Sequence, residues 1–404
     1  MSRPIAVLVK RFPKLSETFI LGEIAALVDF GLNIHVISLH RPNETLQQPG
    51  AMRFADRVTY IEPVAGLRRF IALVMLFLRN PAGGLKTLMH LRESGVNMGQ
   101  LGALIGLCEE LDVGHLHAHY ISGPALLADL TARACGITFS VSAHAKDIYL
   151  TDPCLVRERL HNAAFVSTCT AHNYRYLAGL SGSAAAKIHL VYHGIDSETF
   201  RPADIEVASQ APLLIAVGRY KEKKGFDLLI SACASLLLEG VTLRCEIIGY
   251  GDQQSQLQQL ITDKGLEEHV RLRTPVNHDD LVGILQNASL CVLPCRQTEN
   301  GDRDGIPNAM LEAMSCAVPV VSTPVSGIPE VIRSGINGIL VEPENPQALA
   351  QAIRSVLDDR KLRRKLADAG RDTVQEMFSW QSNMTVLGEM LDGTVANADC
   401  CERV

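Results

Sequence analysis

Long runs of any one kind are missing from this chain, and each absence closes off a class of function. No long basic run that would track a phosphate backbone is present, and 38 basic residues stand against 44 acidic ones for a net charge of -6. The chain therefore has no footprint for a phosphate backbone, and nucleic acid is not an expected partner. The longest uninterrupted apolar run, Phe70–Leu78, is less than half of the roughly twenty residues a helix needs to cross a bilayer. The first apolar run, Ile5–Val9, ends at Lys10 and Arg11 and is too short for a signal-peptide core, so the expectation is a cytoplasmic chain. Arg68, Arg69 and Arg79 bracket Phe70–Leu78, which leaves two readings: a core helix with solvated ends, or peripheral association with an anionic membrane surface on its inner face. A paired cysteine framework is missing as well. The count is eleven, an odd number, and Cys135, Cys233, Cys245 and Cys291 sit in apolar surroundings as reduced core residues would. Cys291 and Cys295 have no second pair at zinc-ligand spacing. The terminal Cys401-Glu-Arg-Val404 carries charge at the middle positions where a prenylation box needs aliphatic residues.

What is present is length and alternation. At 404 residues and 47% hydrophobic, the chain can bury two ordinary cores. In the first half, β-branched runs at Ile5–Val9, Ile34–Leu39, Val113–Ala118, Thr138–Val141 and Val166–Thr168 alternate with helical stretches, the pattern of a parallel sheet covered by helices. Pro202, Pro212 and a polar, acidic stretch interrupt it. A second series then reads as strands at Leu213–Val217, Leu243–Ile248, Val270–Leu272, Leu290–Leu293, Val318–Ser322 and Gly338–Val341. Helices at Phe226–Leu238 and Pro346–Leu357 lie between them, the latter opening on a proline where a first turn tolerates one. The expected architecture is α/β, with two doubly wound domains over 1–198 and 212–377, a linker over 199–211, and a terminal helix and tail over 378–404. Ligands would bind in a cleft at the carboxyl ends of both sheets.

The densest chemistry lies between Leu293 and Pro319. A strand ends, a loop of Gly, Asp, Arg and Asn follows, and a helix begins near Gly305, Ile306, Pro307 and Asn308. Amides at that start suit an anion or an electronegative sugar oxygen. Asp304 in the loop and Glu312 in the helix could each hold paired hydroxyls, one on a ribose and one on a hexose; as residues alone they read equally well as a dipole-facing acid and a solvated or salt-bridged one. After the strand Leu213–Val217 comes Gly218-Arg219-Tyr-Lys-Glu-Lys-Lys224-Gly225, two glycines and spaced cations before a helix. Arg219 and Lys224 are its candidates for a diphosphate grip, against a solvated turn for the lysines. In the first half, His144-Ala-Lys146-Asp147 follows a strand, so His144 is either an acceptor-side or near-anomeric group or a packing residue. Ser16, with Glu17, stands in a loop after the first strand, where it either caps a helix or faces donor phosphates.

Together these segments resemble the retaining glycosyltransferases of family 4, which have the GT-B fold of two Rossmann-like domains. DGIPNAMLEAMSCAVPVVSTPVSGIPEVI with GINGILVEP is similar to the family's E-x7-E segment. VGRYKEKKGFDLLI resembles its phosphate-binding turn, and VYHGIDSETFRP its interdomain segment. FPKLSETFI and SAHAKDIY look like the members that build bacterial exopolysaccharides, colanic acid among them. The resemblance implies a donor site of Arg219, Lys224, Gly305, Ile306, Pro307, Asn308 and Glu312, with Glu312 on the ribose. It implies catalytic roles for Arg219, Lys224, His144 and Asp304, the last an aspartate where the family has its first glutamate. It makes 1–198 the acceptor-side domain, with Ser16, Glu17, Lys146 and Asp147 facing the acceptor. The implied partners are a nucleotide sugar, expected as a UDP-hexose, and a saccharide or lipid-linked oligosaccharide. Neither a cofactor nor a metal is implied, and retention would proceed by front-face attack with no carboxylate nucleophile.

Other readings make distinct demands. Asp302-Arg303-Asp304 spells the D-x-D of metal-dependent transferases. A nicotinamide dehydrogenase would need G-x-G-x-x-G after the first strand, and Gly249-Tyr-Gly251 is the nearest match. A nucleotide-sugar epimerase shares the two-domain plan, and a non-catalytic sugar-nucleotide binder would lack donor-dependent transfer.

Overall fold

The computed structural model describes residues 3–43, 48–61, 98–203 and 211–401; the Phe70–Leu78 run and most of the 199–211 segment lie outside them. The chain divides into two compact units, Met1–Tyr192 with Asn383–Val404, and His193–Ser382.

The first unit is built on a seven-stranded sheet of order β3-β2-β1-β4-β5-β6-β7. Its strands are β1 Ile5–Val9, β2 Ile34–Ser38, β3 Val58–Tyr60, β4 His115–His119, β5 Thr138–Ala143, β6 Val166–Thr168 and β7 Ile188–Leu190, all in parallel pairs. Continuous apolar runs such as Ile5–Val9 are what a strand covered on both faces requires, and β1 is buried throughout. Strand β4 is different. It reads His-Leu-His-Ala-His, and all five residues are buried. Period-two geometry sends Leu116 and Ala118 into the apolar core and His115, His117 and His119 to the opposite face. Those rings are tolerated because β5 runs beside them with a hydroxyl at each paired position, Thr138, Ser140 and Ser142. Ser140 Oγ lies 2.7 Å from both His115 Nε2 and His117 Nδ1, and Ser142 Oγ 3.0 Å from His117 Nε2. Buried polar rings with hydrogen-bond partners cost far less than orphaned ones.

This strand starts two residues later than Val113 because the Val113 N–H still closes the preceding helix, Met98–Glu110, onto Cys108 O (2.9 Å). The strand thus extends to His119. The edge strands β3 and β7 were not legible as strands, because at three residues each their alternation is too short to register.

The second unit has a six-stranded sheet of order β10-β9-β8-β11-β12-β13. Its strands are β8 Leu213–Val217, β9 Arg244–Ile248, β10 Val270–Arg273, β11 Leu290–Leu293, β12 Val320–Ser322 and β13 Ile339–Leu340, again parallel. Helix Phe226–Leu238 has the expected bounds, and Pro346–Asp358 is capped by Asn345, whose side chain accepts from the Ala348 N–H at 2.9 Å. The order reverses between β8 and β11, and in a doubly wound sheet the carboxyl ends beside such a reversal form the crevice that takes ligands.

The division falls at His193 instead of after residue 198, and the contacts of the intervening residues explain it. The Ile195 N–H donates to Phe378 O (2.8 Å), Ile195 bridges to Ser379, and Ser315 Oγ donates to Phe200 O (2.5 Å). The last helix runs Trp380–Cys401 and joins the first unit from Asn383 onward. Met384, Leu387, Leu391 and Val395 are its buried stripe, the spacing of one helix face.

Candidate active site

At the carboxyl end of β8 the chain passes through Gly218–Gly225, with a short 3-10 turn at Glu222–Lys224. Gly225 has φ +64°, and a Cβ there would meet Pro294 O at 2.0 Å, so the turn is pressed against the end of β11 in a conformation that suits glycine. This close approach drives the two following features. The Arg296 N–H donates to Lys223 O (2.9 Å), and Arg296 Nη2 forks onto Asp227 at 2.8 Å, tying the loop after β11 to the helix after β8.

Four charged side chains meet there. Lys223 Nζ is 2.9 Å from Asp302 Oδ1 and 3.2 Å from Asp304 Oδ1, and Lys224 Nζ is 2.6 Å from Asp304 Oδ2. Lys223 is 5% exposed. Burial alone would raise the Asp304 carboxyl, but Lys224 and then Lys223 outweigh it and hold it well below the usual carboxylate range. Burial likewise pulls the Lys224 ammonium down, and its anionic neighbours, Asp304 first, leave it net raised. Arg219 is half-buried beside this cluster, and its guanidinium has no anionic partner among the described residues. Only Lys221 behaves as a solvated turn residue, 40% exposed and paired with Asp252. Lys223 and Asp302 were not singled out as donor-site residues: K-E-K-K looks like a surface turn until its counter-ions arrive from across the sheet.

The helix that follows the polar loop starts at Asn308, with Pro307 extended at the cap position (φ -64°, ψ 124°) and no side-chain cap bond. Gly305 and Ile306 therefore belong to the loop, not to the helix, and the first-turn amides are not consumed by a cap. Glu312 is 5% exposed on this helix, and burial pushes its carboxyl up to about 7, with Lys224 pulling the other way. His278 Nε2, a neighbour no sequence pattern signalled, lies 3.9 Å from Glu312 Oε1.

In the first unit the candidates separate. His144 is buried, with its ring 4.8 Å from Phe19 and 5.1 Å from Tyr120 between centroids. Asp147 is also buried, and both its oxygens serve backbone amides: Oδ1 accepts from the His144 N–H (3.0 Å) and Oδ2 from the Ile121 N–H. Desolvation pushes it up to about 7. It ties two loops together. Lys146 and Ser16 are exposed, and Glu17 is ion-paired with Lys14. Glu17, not Ser16, holds the cap position before Thr18–Asp29, and the Glu17 side chain makes no cap bond.

Two all-parallel doubly wound sheets, each in a unit of its own, define the GT-B class. Solved structures agree: the chain matches sucrose-phosphate synthase from Thermosynechococcus elongatus with a TM-score of 0.73 and 19% identity, covering 98% of this chain and 100% of that one. Anabaena HepE, in a complex with UDP and glucose, matches at 0.74 and 14%, covering 96% and 99%. Within that class, residues 198–373, most of the second unit, match the family model of glycosyl transferases group 1. The amylovoran biosynthesis glycosyltransferase AmsK of Erwinia amylovora is 27% identical over 95% of this chain and 97% of its own. WcaL of Escherichia coli, named for colanic acid biosynthesis, is 27% identical over 92% and 95%.

Proposed function

We propose that this chain is a retaining, metal-independent hexosyltransferase that moves a sugar from a nucleotide diphosphate, a UDP-hexose, to a hydroxyl of a lipid-linked saccharide in exopolysaccharide synthesis. One observation carries the reading: at the β8/β11 reversal Arg219, with no anionic partner among the described residues, stands beside a lysine pair already balanced by Asp302 and Asp304, and the helix after β11 starts uncapped. That is an arrangement of fixed positive charge suited to a diphosphate. The D-x-D carboxylates are each within ion-pair distance of a lysine, which supports charge neutralisation by ammonium groups in place of a divalent ion. AmsK and WcaL, named for polysaccharide synthesis, support the acceptor class, and HepE, which binds UDP and glucose, supports the donor.

In the proposed step the bond from the anomeric carbon to the diphosphate oxygen breaks as the acceptor oxygen bonds to the same face of that carbon. The acceptor proton passes to the leaving phosphate oxygen, and Arg219 and Lys224 stabilise the charge that develops there. Glu312 holds the ribose diol. Asp304 holds Lys224 and Lys223 in place, so its influence on the hexose runs through that pair. Gly305, Ile306, Pro307 and Asn308 present backbone to the donor, and His144 is the group proposed for the donor sugar from the acceptor-side unit. The enzyme works in the cytoplasm, at the inner face of the membrane where a lipid-linked acceptor would be.

Calorimetric titration with UDP, GDP and ADP in EDTA, on the wild type and Glu312→Ala, tests this. Metal-free binding of UDP, weakened by the substitution, is expected. Binding that appears only with manganese or magnesium would sink the metal-free reading. Conversion of the nucleotide sugar without an acceptor would point to an epimerase.

A further inference from the structure

The histidine face of β4 does more than fill space within the first unit. Helix Thr18–Asp29 lays Glu23 over it, 5% exposed, with Oε1 at 3.0 Å from His119 Nε2 and 3.4 Å from His117 Nε2. The opposite nitrogen of His119, Nδ1, is 3.4 Å from His144 Nε2, and the two rings stack with centroids 5.7 Å apart and planes within 4°. A carboxylate, an imidazole and a second imidazole thus stand in line, ending on the residue assigned above to the donor sugar. Tyr120 closes the far side of the His144 ring. It sits at φ 78°, in the left-handed region, held by its N–H on Ser142 O (2.9 Å), and such strain in a bulky residue persists only where surrounding contacts impose it.

We propose that Glu23 and His119 are positioning residues that fix the tautomer and orientation of the His144 imidazole. A buried carboxylate accepts and cannot donate, so His119 presents Nε2–H to Glu23 and leaves its Nδ1 lone pair toward His144. Two lone pairs cannot face each other at that distance, so His144 must carry its proton on Nε2. The other charged groups around this line have separate work. His117 shares Glu23 Oε1 at 3.4 Å and is also bound by Ser140 and Ser142, Asp147 is bound by backbone amides, and Arg159 Nη1 donates to Ile121 O. The His144 Nδ1 is then the acceptor side of the ring; it is itself buried, and the His144 side chain faces the Asp147 backbone N–H in the capping box at the start of the next helix. This inference rests on the proposed role of His144, and its test separates the two.

The full chain, labelled with 15N-histidine, is observed by two-bond 15N–1H correlation at neutral pH, with the His144 signals assigned by their loss in His144→Gln. The wild type is expected to show His144 as the Nε2–H tautomer, a reading that needs no variant to fold. Glu23→Gln and His119→Gln should mix the tautomers and lower kcat by about tenfold or more at nearly unchanged donor KM, with Glu23→Asp recovering part of the loss. A wild-type Nδ1–H tautomer, or folded variants that leave the His144 signals and kcat unchanged, would overturn the inference. So would one equivalent of bound metal that is lost in Glu23→Gln, since Glu23, His117 and His119, whose ligand atoms lie within 4.8 Å of one another, would then be its ligands. Full transfer activity in His144→Gln would instead remove the role assigned to His144 while leaving the tautomer result standing.

Discussion

Glu312 carries a pH signature that can be read in two ways. Its folded pKa, about 7 against an unfolded 4.5, means the folded state binds the proton more tightly. Stability therefore falls as pH rises from the unfolded to the folded value and is level above it. At roughly 1.4 kcal/mol per unit the swing is on the order of 3 kcal/mol, and Glu312→Gln should abolish it, leaving the variant more stable than wild type above neutrality in urea unfolding. Ribose hydroxyls donate to the ionised form, so nucleotide binding should release protons near pH 6.5, visible as buffer-dependent heats. The cations of the turn differ in kind. Arg219 has no partner to strand, so Arg219→Ala should lower kcat by about 10²-fold with stability within about 0.5 kcal/mol of wild type. Lys224→Ala removes one side of a buried pair and should cost stability too, up to about 3–5 kcal/mol, less what Lys223 recovers. Arg219, Lys224 and Glu312 could be proposed from the sequence because glycines, strand ends and helix starts bracket them. Lys223 was not, because its partners Asp302 and Asp304 lie some eighty residues away, |i−j| = 79 for the first.

Among elements, the turn Glu222–Gly225 is the joint on which the grip depends. Gly225→Ala forces a side chain into the left-handed region and against Pro294 O. The expected outcome is a lower unfolding midpoint, at least about 2–3 kcal/mol, with a larger loss of nucleotide affinity than of stability, because Lys223 and Lys224 move with the turn. Equal affinity in the folded variant would show that the lysines are placed by Asp302 and Asp304 alone. The strands that carry the site, β8 and β11, were readable to the residue because both are apolar runs closed by turn chemistry. Strand β4 was read without His119 because three buried histidines look like surface alternation to a period-two argument. Only the hydroxyls of the neighbouring strand, remote in sequence, make them interior residues.

At the scale of the whole molecule, each unit has its own sheet and its own buried residues, and the ends of the second are fastened to each other by Ile195 and Ser379. The residues proposed for the diphosphate and ribose, Arg219, Lys224 and Glu312, all lie within His193–Ser382. A fragment of residues 193–382 should therefore fold, because the cut at Tyr192 and His193 severs no strand pairing and the return at Asn383 removes only helix turns that belong to the first unit. Its affinity for UDP should stay within about threefold of the full chain, a difference of about 0.65 kcal/mol. It should transfer no sugar, since His144 is absent. A fragment that melts cooperatively yet loses UDP would mean that the donor site draws residues from outside 193–382, and the division of labour between the two units would have to be redrawn.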